Sequence, residues 1–180
     1  GLIALCDAYT GKQRSQAAVA KLACEVEIER LGEPIGKQDQ YGCAIGGLKK
    51  IRFMPDDTVV TEPIFLKREQ RRRLEDSLLL IRTGGTRSAS AQLEKQQKNV
   101  KDSAALEENL KKMAAQADEL ALRMVTDIDC LGEFLHEGWE RKKQISAGIS
   151  NPNIDDIYTR ARAAGATGGK LLGAGGAGFI

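Results

Sequence analysis

The stretch ACEVEIERLGEPIGKQDQYGCAIGG, residues 23–47, closes one kind of structure and opens another. Ala20, Cys24, Ile28 and Leu31 recur at helical spacing through its first part. Ser15 stands where an N-cap belongs and Gly32 where a helix stops, so the spacing predicts a helix from Ser15 to Leu31. Pro34 and Gly36 then open a polar turn segment, GEPIGKQDQYG, residues 32–42. Past Gly46 and Gly47, two strand-like stretches, Leu48 to Phe53 and Thr58 to Ile64, flank Pro55-Asp56-Asp57 and read as a hairpin. A helix handing over to a short hairpin is the beginning of an α+β order.

Working outward, Gly1 to Tyr9 is mostly apolar and reads as the end of a buried helix closed by Thr10-Gly11. Downstream, the charge-dense run Lys67 to Glu75 leads into Ser77-Leu-Leu-Leu-Ile-Arg82, a short apolar run of the kind that forms a strand buried on both faces, ended by Thr83-Gly84-Gly85. Leu106, Leu110, Met113, Ala117, Leu120 and Met124 then repeat every three or four residues, and Leu131, Leu135 and Trp139 begin a second helix, giving two antiparallel helices. Asn151-Pro152-Asn153 resets the chain before a helix from Ile154 to Ala164, and Gly165 ends it ahead of a glycine-rich tail whose Phe179-Ile180 look extended.

Composition narrows the function. Twenty-seven Lys and Arg against 25 Asp and Glu leave a net charge of +2, and the bases are interleaved with acids, so nucleic acid is not the expected partner. No stretch approaches the ~18 to 20 consecutive apolar residues of a membrane span, so no membrane partner is expected. Cys6, Cys24, Cys43 and Cys130 are scattered, without a metal-ligand spacing, and a reducing, cytoplasmic setting is the expectation. The chain has no initiator Met and no signal-peptide pattern, and it reads as a piece of something longer.

Two segments could carry chemistry. Lys37, Gln38, Asp39 and Gln40 sit side by side between glycines, just past a helix end, where reactive groups are often held; a solvated loop is the bland alternative. Glu27 has Ala20, Ala23, Cys24 and Leu31 as helical neighbours, which aims its carboxylate at the interior. A buried carboxylate needs a cation or hydrogen bonds: a divalent metal or Arg30, one turn on. The second segment is GGKLLGAGGAG, residues 168–178, whose unobstructed backbone amides could bind phosphate oxygens, with Lys170 adding positive charge. It is not a Walker loop, because Ala164 stands where the first Gly is needed and Leu171 where Ser or Thr is needed. Gly173, Gly175 and Gly178 do fit G-x-G-x-x-G, but Phe179-Ile180 look extended where a dinucleotide site needs a helix.

Taken in order, ACEVEIERLGEPIGKQDQYGCAIGG, TGGTRSAS, FLHEGWERKKQIS, ISNPNIDDIY and GGKLLGAGGAGF resemble the sugar-kinase branch of the GHMP kinases, the superfamily of galactokinase, homoserine kinase, mevalonate kinase and phosphomevalonate kinase. The likeness runs over essentially the whole chain. It implies an α+β, two-domain fold present in part: residues 1–66 as the remainder of an N-terminal ribosomal-S5-like α/β domain, and residues 67–180 as a ferredoxin-like C-terminal domain of helices on an antiparallel sheet. It implies ATP and Mg2+ as cofactors, and D-glycero-D-manno-heptose 7-phosphate, phosphorylated on its anomeric hydroxyl for nucleotide-activated heptose biosynthesis, as substrate. Residue by residue, it places Asp39 near the acceptor hydroxyl as catalytic base and Glu27 on the magnesium-binding glutamate. Gly173, Gly175 and Gly176 fall on the third superfamily motif, against the nucleotide phosphates, and Arg87 on a basic position for the substrate phosphate. Lys37, Gln38 and Lys170 are further substrate-binding candidates. The superfamily's Gly-Leu-Gly-Ser-Ser phosphate loop is not in this sequence, so the chain is expected to be inactive alone. A homodimer is a further expectation.

Another sugar, such as fucose, is the nearest competing substrate. A non-catalytic helical interaction module, built on the amphipathic stretch from Ser103 to Ile145, is the reading from a different class. His136 and Trp139 read as packing residues, and the basic run Lys67 to Arg73, diluted by Glu69, Glu75 and Asp76, as a solvated helix face.

Overall fold

The computed structural model describes residues 1–85 and 103–180, which form two compact units, Gly1–Ile64 and Phe65–Ile180. Each builds helices beside a two-stranded antiparallel sheet, the α+β order read from the sequence.

In the first unit, α1 (Leu2–Thr10) stops at Gly11, whose φ of 68° is the left-handed cap that ends many helices. The expectation that α1 is buried fails. Leu2, Leu5 and Tyr9 are exposed, and the helix packs instead through the side that carries Ile3 and the buried Asp7, whose carboxylate pairs with Arg14. Then comes α2 (Gln16–Cys24), capped as expected: Ser15 Oγ accepts from the Ala18 amide at 3.2 Å. From Glu25 to Arg30 the helix widens into a π-helical turn, with Leu31 N–H reaching back to Val26 at 3.0 Å, and Gly32 (φ 69°) ends it. The wide turn puts the apolar row out of step, so Leu31 lies 69% exposed while Ile28 still reaches the core.

The polar segment is not all turn. Residues Gln38–Ala44 form α3, held by burial of Tyr41 against Ala20 and Cys24 rather than by a side-chain cap. The hairpin is as expected: β1 (Lys49–Phe53) pairs with β2 (Val59–Pro63), Ile51 opposite Thr61, and a Lys50–Glu62 bridge of 2.6 Å spans one cross-strand position. Its turn puts Asp57 at φ 71°, while Asp56 accepts from the Thr58 amide at 3.1 Å and hydroxyl at 2.6 Å.

In the second unit, the charged run forms α4 (Arg68–Ser77). The apolar run after it is not the buried strand expected. Leu78, Leu79 and Leu80 are exposed, and the strand begins two residues later as β3 (Arg82–Gly84), because its partner β4 (Gly178–Phe179) pairs there, Arg82 opposite Phe179. Ile81 exchanges both backbone bonds with Ile180, at 2.8 and 2.9 Å. The long helices are α5 (Ala104–Arg123), capped by Ser103, and α6 (Leu131–Lys143). They run antiparallel, tied by Asn109 Nδ2 to the Arg141 carbonyl at 2.9 Å and Gln116 Nε2 to Glu137 at 2.8 Å. A final helix, α7 (Pro152–Ala163), has Asn151 as N-cap and Pro152 at its first position. Trp139, Ile149, Ile154 and Leu171 are almost wholly buried and form the core with Ile145 and Tyr158. Trp139 is therefore a core anchor, as read.

Candidate functional site

Four candidate residues lie in the first unit. Glu27 sits on the wide turn, half-buried, and its Oε2 accepts from Gln40 Nε2 at 2.5 Å. Arg30, the cation named from sequence as the alternative to a metal, bonds Glu25 instead, at 2.5 and 3.1 Å. Gln40 is only 6% exposed, and with its nitrogen committed to Glu27 its Oε1 is left buried without a partner. The Glu27 carboxylate is a hard-oxygen donor, the kind Mg2+ accepts while keeping several waters, whereas Gln40 turns its amide nitrogen to that carboxylate and keeps its oxygen buried. Among the described residues no group of three or more His, Cys, Asp or Glu could hold a metal, so a metal here would rely on few protein ligands.

Asp39 is exposed on the first turn of α3. Two residues earlier, Lys37 pairs with Asp57 of the hairpin turn, and that hydrogen bond holds the ammonium above its usual range. Gln38 is exposed and lines a hollow of about 270 Å3 with Gly36, Lys37 and Phe53. A larger hollow of about 600 Å3 opens by Cys24, Glu25, Glu29 and Asp57, and burial pushes the Cys24 thiol up.

The glycine tail belongs to the second unit. Gly173, Gly175, Gly176 and Gly178 all take positive φ, at 74°, 102°, 78° and 136°, a path that only glycine follows without strain. At Gly175 the backbone is also pressed on its neighbour: a Cβ there would lie 2.9 Å from Ile149 Cα and 3.0 Å from its carbonyl oxygen. Gly176 donates its N–H to Ile149 O at 2.7 Å and receives Asn151 Nδ2 on its own carbonyl at 3.0 Å, and Lys142 donates to the Gly173 carbonyl. The turn is thus fixed from behind, and the Gly176 amide is spent inside the protein. Lys170 is half-buried, and burial alone pushes its ammonium down. Arg87 lies outside the described residues.

Beside the turn, Gly132 at the start of α6 meets Gly168 backbone to backbone, where a Cβ on Gly168 would fall 1.7 Å from the Gly132 oxygen. His136 Nδ1 lies 2.7 Å from Tyr158 Oη, and the Gly169 N–H also reaches that oxygen. His136 is thus a packing histidine, with a bonded partner. Sequence reasoning placed Gln40 in the candidate polar segment but missed its hold on Glu27, and it read Asp57 and Asn151 only as turn and chain-reset residues. Of these, Gln40 left a signal, because a carboxylate aimed inward needs a donor and a buried Gln thirteen residues on can supply it.

Similarity to known proteins extends over the same segments. Residues 100–180 match the family model for GHMP kinases C terminal. The D-glycero-alpha-D-manno-heptose 7-phosphate kinase of Campylobacter jejuni is 35% identical over 164 residues, which is 90% of this chain and 48% of that protein. A solved D-glycero-D-manno-heptose 1-phosphate kinase from Bacteroides thetaiotaomicron overlays with a TM-score of 0.63 at 28% identity, covering 96% of this chain and 45% of its own. The chain spans about half the length of both relatives.

Proposed function

From the premise that residues 100–180 are a GHMP kinase C-terminal domain, we propose that the protein carrying this chain is an ATP-dependent kinase of D-glycero-D-manno-heptose 7-phosphate, transferring phosphate to the anomeric hydroxyl to give the 1,7-bisphosphate. The observation that carries the reading is the 35% identity to a heptose 7-phosphate kinase over 90% of the chain, a span that includes candidate positions in both units.

Phosphoryl transfer asks for alignment and charge neutralisation more than for covalent help from the protein. In this reading the sugar's anomeric oxygen forms the new bond to the γ-phosphorus as the bond from that phosphorus to the bridging oxygen breaks, and ADP leaves. The hydroxyl proton goes to Asp39, whose exposure at the start of α3 leaves its carboxylate accessible to a bound sugar. A placed general base is worth about 10² to 10⁴ in rate. Glu27, held by the amide of Gln40, would hold Mg2+, which would neutralise phosphate charge when bound. The glycine turn presents peptide dipoles to the nucleotide phosphates without side chains in the way. Lys170, held at a cost as a desolvated cation, gains an anion when phosphate arrives, and Arg87, Lys37 and Gln38 complete the substrate contacts. Lys37 does so from a position fixed by Asp57.

The test is ATP consumption by the whole protein with heptose 7-phosphate, heptose 1-phosphate and fucose as acceptors. Turnover should be fastest with the 7-phosphate and yield the 1,7-bisphosphate. Turnover with fucose alone would replace the substrate assignment, and turnover with none would leave only the family. Asp39→Asn should lower kcat at least a hundredfold with the fold intact; wild-type turnover in that variant would remove Asp39 from the chemistry.

A further inference from the structure

In the sequence Asn151-Pro152-Asn153 reads as a chain reset within one of the resemblance motifs, with no role of its own. In the structure Asn151 uses both ends of its amide. Its Oδ1 accepts from the Ile154 amide at 3.1 Å and caps α7, while its Nδ2 donates to the Gly176 carbonyl at 3.0 Å. Two residues on, Asn153 Nδ2 donates to the Thr83 carbonyl at 2.8 Å, and Thr83 Oγ1 bonds the Gly178 amide at 3.0 Å. The same short segment therefore reaches the glycine turn directly and again through β3. Ile149, just before it, takes the Gly176 N–H at 2.7 Å.

The consequence follows from peptide geometry. A trans peptide is planar, and its C=O and N–H point to opposite sides. Fixing the Gly176 carbonyl on Asn151 therefore directs the N–H of the same peptide unit, that of Ala177, away from Asn151. Gly176 leaves the rotation on the carbonyl side of this unit free of a side-chain restriction, so an outside contact is needed to fix it.

We propose that Asn151 is a positioning residue for phosphate binding: through its Nδ2 contact with the Gly176 carbonyl it sets the orientation of the Gly176–Ala177 peptide in the glycine turn. The proposal rests on the reading that this turn receives the nucleotide's phosphates. Asn151 touches no substrate and acts only through the turn.

Asp and Ser are N-caps as good as Asn, so Asn151→Asp and Asn151→Ser keep the start of α7. Neither can donate to the Gly176 carbonyl, Asp for want of a proton and Ser for want of reach. The Ser variant adds no charge and so controls for repulsion of phosphate by the new carboxylate. Two measurements apply: steady-state kinetics of the whole protein with ATP varied, and amide hydrogen exchange of this chain. Both variants should melt within a few degrees of wild type. Each should lower kcat/KM for ATP by roughly ten- to a hundredfold, the scale of a misplaced backbone donor. The Gly176 and Ala177 amides should exchange faster while the α7 amides do not change. Normal kinetics in both variants would overturn the proposal, as would impairment in the Asp variant alone, which would mark simple charge repulsion. If a variant melts early, exchange decides: faster exchange confined to the turn upholds the proposal, and a uniform increase across α7 overturns it. A wild-type protein that consumes no ATP would refute the kinase reading, yet the exchange result would still judge the brace.

Discussion

Replacing Gly175 and Gly173 by alanine, one at a time, tests the geometry on which the glycine turn depends. At Gly173 a Cβ meets nothing within 4 Å, and the φ of 74° is close to the left-handed well. Alanine there should cost about 1 kcal/mol of backbone strain, largely offset by the ~0.4–1 kcal/mol gained from a stiffer unfolded chain. Gly175 differs on two counts. Its φ of 102° lies outside that well, a strain of about 1–3 kcal/mol, and its Cβ would press on Ile149 Cα at 2.9 Å and on Ile149 O at 3.0 Å. Those are backbone atoms and cannot rotate aside, so the overlap adds about 1–3 kcal/mol. Gly175→Ala should therefore lose roughly 3 kcal/mol more than Gly173→Ala, which is about 10 °C in melting temperature for a domain of this size. Urea titration of both variants, followed by circular dichroism, measures the difference. A gap below about 0.5 kcal/mol would refute the close approach of Gly175 to Ile149, and with it the claim that the turn is fixed from behind.

Further expectations concern other sites. Gln40→Leu should destabilise the first unit by about 1–3 kcal/mol, because the half-buried Glu27 loses its donor, and the double variant with Glu27→Leu should recover part of the loss in the same denaturation assay. Lys170→Met should raise thermal stability at neutral pH, since it removes a cation that burial has pushed below its usual range, while weakening phosphate binding; lower stability in that variant would mean that the ammonium is satisfied within the fold. Burial raises the Cys24 and Cys130 thiols above their ordinary value, so both hold less thiolate than an exposed thiol; iodoacetamide labelling read by mass spectrometry at mildly alkaline pH should modify Cys6 and Cys43 first. For Cys24 the folded value is the raised one, so its contribution to stability is complete below the ordinary 9.0 and is lost as pH rises through the higher folded value. Cys24→Ala should flatten that alkaline decline.

What could be read from the sequence was what local chemistry decides. Ser15 announces a helix start because its side chain bonds a free amide of the first turn, the apolar spacing from Leu106 and the reset at Asn151-Pro152-Asn153 announce two later helices, and the hairpin follows from two strand-like runs around Pro55-Asp56-Asp57. The misreadings share a physical cause, in that distant partners decide them. Leu78–Leu80 look like a buried strand, but pairing is set by where β4 falls. The helix α3 has no cap to announce it and depends on Tyr41 finding Ala20 and Cys24. At the candidate site, Glu27 is legible from its apolar neighbours, whereas its partner Gln40 and the hold of Asp57 on Lys37 are contacts across thirteen and twenty residues of chain. The glycines of the turn are legible as a cluster, but the reason that Gly175 in particular must be glycine is visible only against Ile149.

The wide turn from Glu25 to Arg30 makes the aim of Glu27 a question of phase. Each residue of an ordinary helix advances the side chains by about 100°, so deleting one residue just ahead of Glu27 would let the coil tighten to its common pitch and swing the carboxylate about a quarter of the way around the axis. Both members of the pair would survive such a lesion, yet Glu27 would face a different wall and Gln40 would be left holding nothing. In this segment an insertion or deletion is more damaging than almost any single substitution, because the protein counts residues there as well as choosing them.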